Sequence, residues 1–478
     1  MANGVFSSLV WKFLNGGSAQ IIQLVISIIV ARLLTPSDFG AVALLLVFTS
    51  ISTVFIQAGL STAIVQKKEI TQVQLSSVFY YSFLSAILLY FILYISAPMI
   101  SRFYEIESLR GYMRVLALVL IFGSFNAIQN ALIAKRMLWK QQCICNIISV
   151  LVSGIIGILF AFYNWGAWAI IFQQLSYNVI ICICLFFTVR WIPSFIFSFQ
   201  ESKDLFKYGL NLLGANLVDT IYHNLENLII AKKFTPSTLA FFTKGRMFPY
   251  LLVTNIDGSL QSVMLPVFSK EQDNLEDLKF ILRRTVSTSS FILFGVLMTL
   301  LLCAKPLIIV LLGKQWIETT PFIQMYCIIG LLIPIETTSS QAINAIGKSK
   351  IFLKIMSIKR TLGVIFLFSA TFFFDDVFVL VYAALLVELI AVIIHMYFNL
   401  KILNYSPYEF FKDVYKKLLA SIVVLISYFF YNNMLFQNPY IDIIIVALLS
   451  VLIYLGVLYI LKSEDLSYFY KKLLSLKK

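Results

Sequence analysis

Ile29-Val-Ala-Arg-Leu-Leu-Thr-Pro-Ser37 decides the fold of this chain, because a near copy, Ile229-Ile-Ala-Lys-Lys-Phe-Thr-Pro-Ser237, stands 200 residues further on with five of nine positions identical. The register continues through Phe48 and Phe248, Ile56 and Ile256, and Leu60 and Leu260. In each copy an apolar run ends in a short Thr-Pro-Ser turn. Six apolar runs separate the copies, an even number, so both enter a membrane in the same direction. That is a parallel repeat about an axis along the membrane normal, a plan used by some transporters.

The rest of the chain agrees with a membrane setting. Of 478 residues, 60% are hydrophobic and 13% charged, with mean hydropathy +0.90, where soluble domains carry about 25% charged residues. The apolar residues come in runs of about 20, the length that crosses a hydrocarbon core about 30 Å thick. Spans are predicted near 9–31, 39–61, 77–97, 112–134, 142–163, 165–188, 209–231, 239–265, 286–304, 321–343, 355–374, 377–400, 418–436 and 440–461. The expected fold is an all-α polytopic membrane protein of about 14 transmembrane helices. Met1 to Trp11 has neither a basic n-region nor a small-residue cleavage site, so the first run is expected to be a span rather than a removable signal peptide.

A net charge of +14 can point to nucleic acid, but the basic residues are scattered between apolar runs rather than pooled. Topology explains them better. With the N-terminus in the cytoplasm, 27 of the 37 Lys and Arg residues, Lys359 and Lys417 among them, fall in inside segments. The positive-inside rule then places both termini in the cytoplasm of an inner (plasma) membrane protein. The six cysteines lie within or beside spans without metal-binding spacing, and are expected to act as small apolar residues.

The repeat divides the chain into an N-terminal six-helix lobe (1–188), a cytoplasmic linker (189–208), a C-terminal six-helix lobe (209–400), and two additional helices with a basic tail (401–478). A pseudo-two-fold axis along the membrane normal relates the lobes. Within the first lobe, Pro98 to Arg110 is too polar to span and is expected on the outer surface as an amphipathic turn or helix.

The seventh span places Asn216, Asp219, His223 and Glu226 at steps of three, four and three residues, hence on one helical face. Ionisable groups facing lipid cost several kcal/mol each at mid-membrane, so the stripe must face protein or a watery cavity. A cavity lining is the preferred expectation, and a polar seam between helices the alternative. The eighth span adds Lys244 and Arg246 in its outer half and Asp257 deeper; Lys232 and Lys233 stand at the end of the seventh. For Lys244, Lys232 and Lys233, snorkelling to the interface is the competing explanation. Glu388 and His395 share one face of the twelfth span, as a proton-linked pair or, preferably, a packed polar contact. Asn126 and Gln129 give the fourth span a polar edge. No phosphate-binding Gly-rich loop, H-E-x-x-H, G-x-S-x-G or ATPase motif is present, and no cofactor is expected.

These residues resemble a known family. Ala31-Arg-Leu-Leu-Thr-Pro-Ser-Asp-Phe-Gly40, Gln57-Ala-Gly-Leu-Ser-Thr-Ala-Ile-Val-Gln66, and Asn224-Leu-Glu-Asn-Leu-Ile-Ile-Ala231 followed by Phe242, Arg246 and Pro249 are similar to the signatures of Wzx-type polysaccharide repeat-unit flippases. That family shares a superfamily with multidrug and toxin extrusion transporters and lipid II flippases. Glu226 stands where Asp is usual, and Phe242 where Tyr is. The resemblance implies a V-shaped pair of lobes that moves an undecaprenyl-pyrophosphate-linked oligosaccharide to the periplasmic leaflet by alternating access. It also implies a polysaccharide polymerase and a chain-length regulator as candidate protein partners, and no nucleic acid. An anionic pyrophosphate calls for Lys or Arg, and Arg246 with Lys244 is the first choice. Two alternatives are a cation-coupled multidrug exporter of the same fold and, less favoured, a membrane glycosyltransferase. Against them stand the absence of an acidic residue between Leu9 and Val30 and of any connector much longer than about 20 residues.

Overall fold

The computed structural model describes residues 2–57, 59–270, 274–431 and 438–467. The end of the thirteenth predicted span and the basic tail from residue 468 lie outside the described residues. Among the described residues the chain forms sixteen α-helices and one 3-10 helix, and no strand. Two compact units emerge, Met1–Ala240 and Phe241–Lys478.

The first unit contains α1 (Ala2–Leu33), α2 (Pro36–Gln57), α3 (Leu60–Gln66), α4 (Gln72–Tyr104), α5 (Leu109–Leu116), α6 (Val119–Arg136), α7 (Trp139–Phe162), α8 (Ala167–Val189), α9 (Phe199–Lys233) and the start of α10 (Pro236–Lys270). Contacts run from α1 to α7, α7 to α8, α8 to α6, and α6 to α4 and α2, while α9 packs on α2, α3 and α4. Small residues set the closeness of these helices. A Cβ on Gly154 of α7 would meet Ile26 of α1 at 2.2 Å.

The repeated turn is the same object twice. Helix α1 ends at Leu33 and α9 at Lys233; α2 opens at Pro36 and α10 at Pro236. Proline suits a first helical position, where its missing N–H has no partner to lose. The threonine before it caps the new helix in both copies. Asp38 N–H donates to Thr35 Oγ1 (3.3 Å), and Thr238 N–H donates to Thr235 Oγ1 (3.2 Å). Thr35 and Thr235 therefore occupy equivalent helix ends. Within the first unit the copies touch: an added Cβ at Gly40 would lie 1.7 Å from the Pro236 carbonyl oxygen.

Three stretches differ from the sequence expectation. Helix α4 runs through Pro98 to Tyr104 instead of ending near 97. One interior proline removes a single backbone bond, and the helix re-forms on both sides. At 33 residues it is about 50 Å long, more than the hydrocarbon thickness. It stops where Glu105 turns left-handed (φ 59°) and Ser101 Oγ donates to the Ile106 carbonyl (2.8 Å). The fourth span is two helices, α5 and α6, and Leu109, Met113 and Leu116 of α5 are buried.

Between α8 and α9 only residues 190–198 are non-helical, and they are stitched to the start of α4. Trp191 Nε1 donates to Gln72 Oε1 (2.8 Å), and Gln72 Nε2 to the Ile192 carbonyl (2.7 Å). The backbone N–H groups of Ser194 and Ser198 donate to Ser76 and Ser77 hydroxyls, each at 2.9 Å. Trp191 and Phe206 are buried in a core with Phe79, Leu132 and Leu185.

The second unit contains the rest of α10, then α11 (Leu275–Leu311), the 3-10 helix η1 (Lys314–Thr319), α12 (Thr320–Ala345), α13 (Ser349–Phe373), α14 (Val377–Leu403), α15 (Pro407–Tyr431) and α16 (Pro439–Ile460). Helix α11 is its axis, touching α12, α14, α15 and α16, and α12 and α13 pack on α14. A charged cluster binds α15 to the first turns of α11. Arg283 bonds Glu409 and Asp413, and Lys279 Nζ sits 2.8 Å from Glu409 Oε2.

Among the described residues, nine helical segments are long and apolar enough to cross a membrane. Helix α9 is not one of them, because its polar stripe lowers its hydropathy. The chain is an all-α polytopic membrane protein.

Candidate functional site

The predicted polar stripe on α9 forms as expected from its spacing. His223 Nε2 lies 3.6 Å from Asp219 Oδ2, with the two side chains 57% and 54% exposed. Asn216 is exposed and Glu226 half-buried on the same face. One turn further, Asn227 turns inward and is buried.

Lys232 lies apart from this stripe, in the last turn of α9. Its ammonium donates to Glu105 Oε1 (2.9 Å) and the Phe103 carbonyl (2.7 Å), and lies 4.9 Å from the Phe103 ring centre. These contacts tie the end of α9 to the end of α4. Lys233 beside it is half-buried.

The cations on α10 part company. Residues two apart on a helix do not share a face. Lys244 is accordingly buried, while Arg246 is partly exposed with its guanidinium 5.3 Å from the Phe242 ring centre. Phe242 is itself held edge-on by Phe322 and Tyr326 of α12. Asp257, deeper in α10, is buried and accepts a hydrogen bond from Thr337 Oγ1 at 2.9 Å. Of the two predicted phosphate-binding cations, Arg246 presents the more accessible group.

Sequence reasoning missed a buried charge cluster. Lys359 Nζ of α13 lies 2.6 Å from Glu336 Oε2 of α12 and 2.9 Å from Glu388 Oε1 of α14, with 15%, 6% and 17% of the three side chains exposed. Lys359, counted in an inside segment, is an interior group of the second unit. The expected Glu388–His395 contact is also replaced. His395 Nε2 bonds Ser340 Oγ (2.9 Å), its Nδ1 bonds the Ala391 carbonyl (2.8 Å), and Asn399 Nδ2 donates to Ser339 Oγ (2.9 Å). The sequence signal for the cluster was Glu336 itself, a lone carboxylate two residues after Pro334 in an apolar run.

In the first unit, Asn126 and Gln129 of α6 are buried, and their side-chain oxygens have no hydrogen-bond partner. Buried amides left this way favour an incoming donor such as a hydroxyl or water.

Residues 29–321 match the family described as polysaccharide biosynthesis protein, more than half of the chain and inclusive of both repeat copies. The chain belongs to that family. Among its relatives is the teichuronic acid biosynthesis protein TuaB of Bacillus subtilis, 21% identical over 72% of this chain and 72% of the relative. The succinoglycan biosynthesis transport protein ExoT of Rhizobium meliloti is 21% identical over 70% of this chain and 68% of its own length. The lipopolysaccharide biosynthesis protein WzxC of Escherichia coli is 20% identical over 64% and 62%. Among solved structures, the lipid II flippase MurJ in an inward closed conformation aligns with TM-score 0.75 at 16% identity, covering 97% of this chain and all of that one. An inward-facing multidrug resistance MATE family transporter aligns with TM-score 0.60 at 13% identity. Both likenesses are of fold, and this family member shares that fold over nearly its full length.

Proposed function

We propose that this polysaccharide biosynthesis protein is a flippase that carries a lipid-linked oligosaccharide from the cytoplasmic to the outer leaflet of the plasma membrane for surface polysaccharide assembly. The observation that carries this is the polar stripe of α9, set in a membrane helix bundle whose family is polysaccharide biosynthesis. Asp219 and His223 are more than half exposed, and such groups cannot rest against lipid. A water-filled surface lined by a carboxylate, an imidazole and amides suits a hydroxyl-rich glycan. Relatives named for teichuronic acid, succinoglycan and lipopolysaccharide biosynthesis point to the same cargo class. In the second unit Arg246 would hold the pyrophosphate, with Lys244 and Asp257 supporting it; in the first unit Asn216 and Glu226 would extend the glycan surface of α9, with Lys232 and Lys233 supporting its end.

The proposal retains two six-helix lobes, 1–188 and 209–400, related by a pseudo-two-fold axis and joined by 189–208. Two helices are added after 401, and both termini are cytoplasmic. The lipid tail stays in the bilayer while the head group crosses. The test is a strain lacking its own flippase. Restored surface polysaccharide, with loss of the lipid-linked precursor that accumulates at the inner leaflet, is expected on complementation. Continued accumulation at matched membrane expression would reject the activity.

A further inference from the structure

Three charges meet inside the second unit: the ammonium of Lys359 and the carboxyls of Glu336 and Glu388. The ammonium contacts both carboxyls, at 2.6 Å and 2.9 Å, and both carboxyls are largely buried.

Charge balance points to a bound proton. With both carboxyls ionised the cluster would hold a net charge of −1 in a low-dielectric interior, where an uncompensated ion costs several kcal/mol. Among the described residues, no other ionisable group forms an ion pair with any of the three. Helix α12 contributes Glu336 and α14 contributes Glu388 and His395, the imidazole being engaged by Ser340 and the Ala391 carbonyl. Helix α13 also carries Lys350, Lys354 and Arg360, and η1 carries Lys314 and Glu318. Helix α11 has its charges at its ends: Glu276, Asp277, Lys279, Arg283 and Arg284 in the first turns, and Lys305 near the last. Those of α15 that meet α11, Glu409, Asp413 and Lys417, are committed to the α11 cluster or to Asp465.

We propose that Glu336, Lys359 and Glu388 form a proton-binding site that holds one exchangeable proton between the two carboxyls. Proton plus ammonium balances two carboxylates, and the site is neutral. Release of the proton leaves two carboxylates against one ammonium. It therefore requires water entry or rearrangement where α12, α13 and α14 meet. The inference does not rest on the identity of the cargo.

Infrared spectroscopy of the purified full-length protein at neutral pH tests this directly, because a protonated carboxyl has its own C=O stretch. Glu336→Gln and Glu388→Gln are each expected to lose the intensity of one protonated carboxyl. Lys359→Met is expected to gain one, since two acids without the cation need two protons for neutrality. If the substitutions prevent folding, uniform 13C labelling of glutamate in the unaltered chain should shift the same band. An unlabelled-like band in that sample, or Gln variants with undiminished intensity, would overturn the site and leave an ordinary ion pair.

Discussion

Arg283 grips Asp413 through two parallel hydrogen bonds of 2.8 Å, Nε to Oδ2 and Nη2 to Oδ1. Tyr405 adds its hydroxyl to the same carboxylate oxygen at 2.9 Å. The bond joins α11 to α15, and so fixes the two additional helices to the axis of the second unit. A bidentate charge-assisted pair of this kind is worth about 1.5–3 kcal/mol, toward the lower figure where the guanidinium is partly in water. Asp413→Ala should therefore lower the unfolding temperature of the detergent-solubilised protein, with Asp413→Asn intermediate. Equal melting of all three would show the pair to be energetically silent.

The same cluster gives a pH dependence. Burial pushes the Glu409 carboxyl up, but the hydrogen bond from Lys279, that from the Ser406 backbone, and the Lys279 and Arg283 charges outweigh it and hold the group at about 2. The group lies ahead of the membrane-spanning part of α15. A depressed carboxyl stabilises the folded state above its ordinary value of 4.5, and that contribution fades as pH falls from there toward 2. Wild type and Glu409→Gln should thus differ in melting temperature at pH 7 and converge across this acid window. A gap that stays constant down to pH 2 would refute the assignment.

Gly40 tests the meeting of the two repeat copies. A methyl group there would sit 1.7 Å from the Pro236 carbonyl oxygen, a backbone atom that cannot swing aside. Overpacking of this sort costs about 1–3 kcal/mol or more. Gly40→Ala should reduce the folded, monodisperse yield of a fluorescent fusion on size exclusion. Gly123→Ala, on α6 with nothing within 4 Å, is the control, and should be neutral or stabilising by up to about 1 kcal/mol.

Arg246 carries the functional prediction. Charge-assisted bonds to a pyrophosphate are worth about 1.5–3 kcal/mol, or roughly a factor of ten or more in affinity. Arg246→Ala should depress surface polysaccharide strongly at unchanged membrane level, and Arg246→Lys should retain part of it. Full output from the Ala variant would remove Arg246 as a required contact and leave it as a group stacked on Phe242.

Much of this was legible in one dimension. Run length and composition established a polytopic helical membrane protein, and the Thr35 and Thr235 turns matched at an offset of 200 because local chemistry, a capping threonine before a proline, writes helix ends into the sequence. The α9 stripe was likewise predictable, since residues three and four apart on a single helix must share a face.

What a one-helix rule cannot supply is the neighbour. Glu388 and His395 lie on one face of α14, yet they take different partners, Lys359 and Ser340, contributed by other helices. Lys359 looks like a topological charge until α12 and α14 close around it, and Pro98 looks like a helix end until the turns on both sides prove able to carry α4 past it. In an apolar bundle nearly every residue is compatible with lipid or with protein, so hydrophobicity does not choose the pairing of helices. That choice was made by the tertiary packing, which has to bring each buried charge to its opposite.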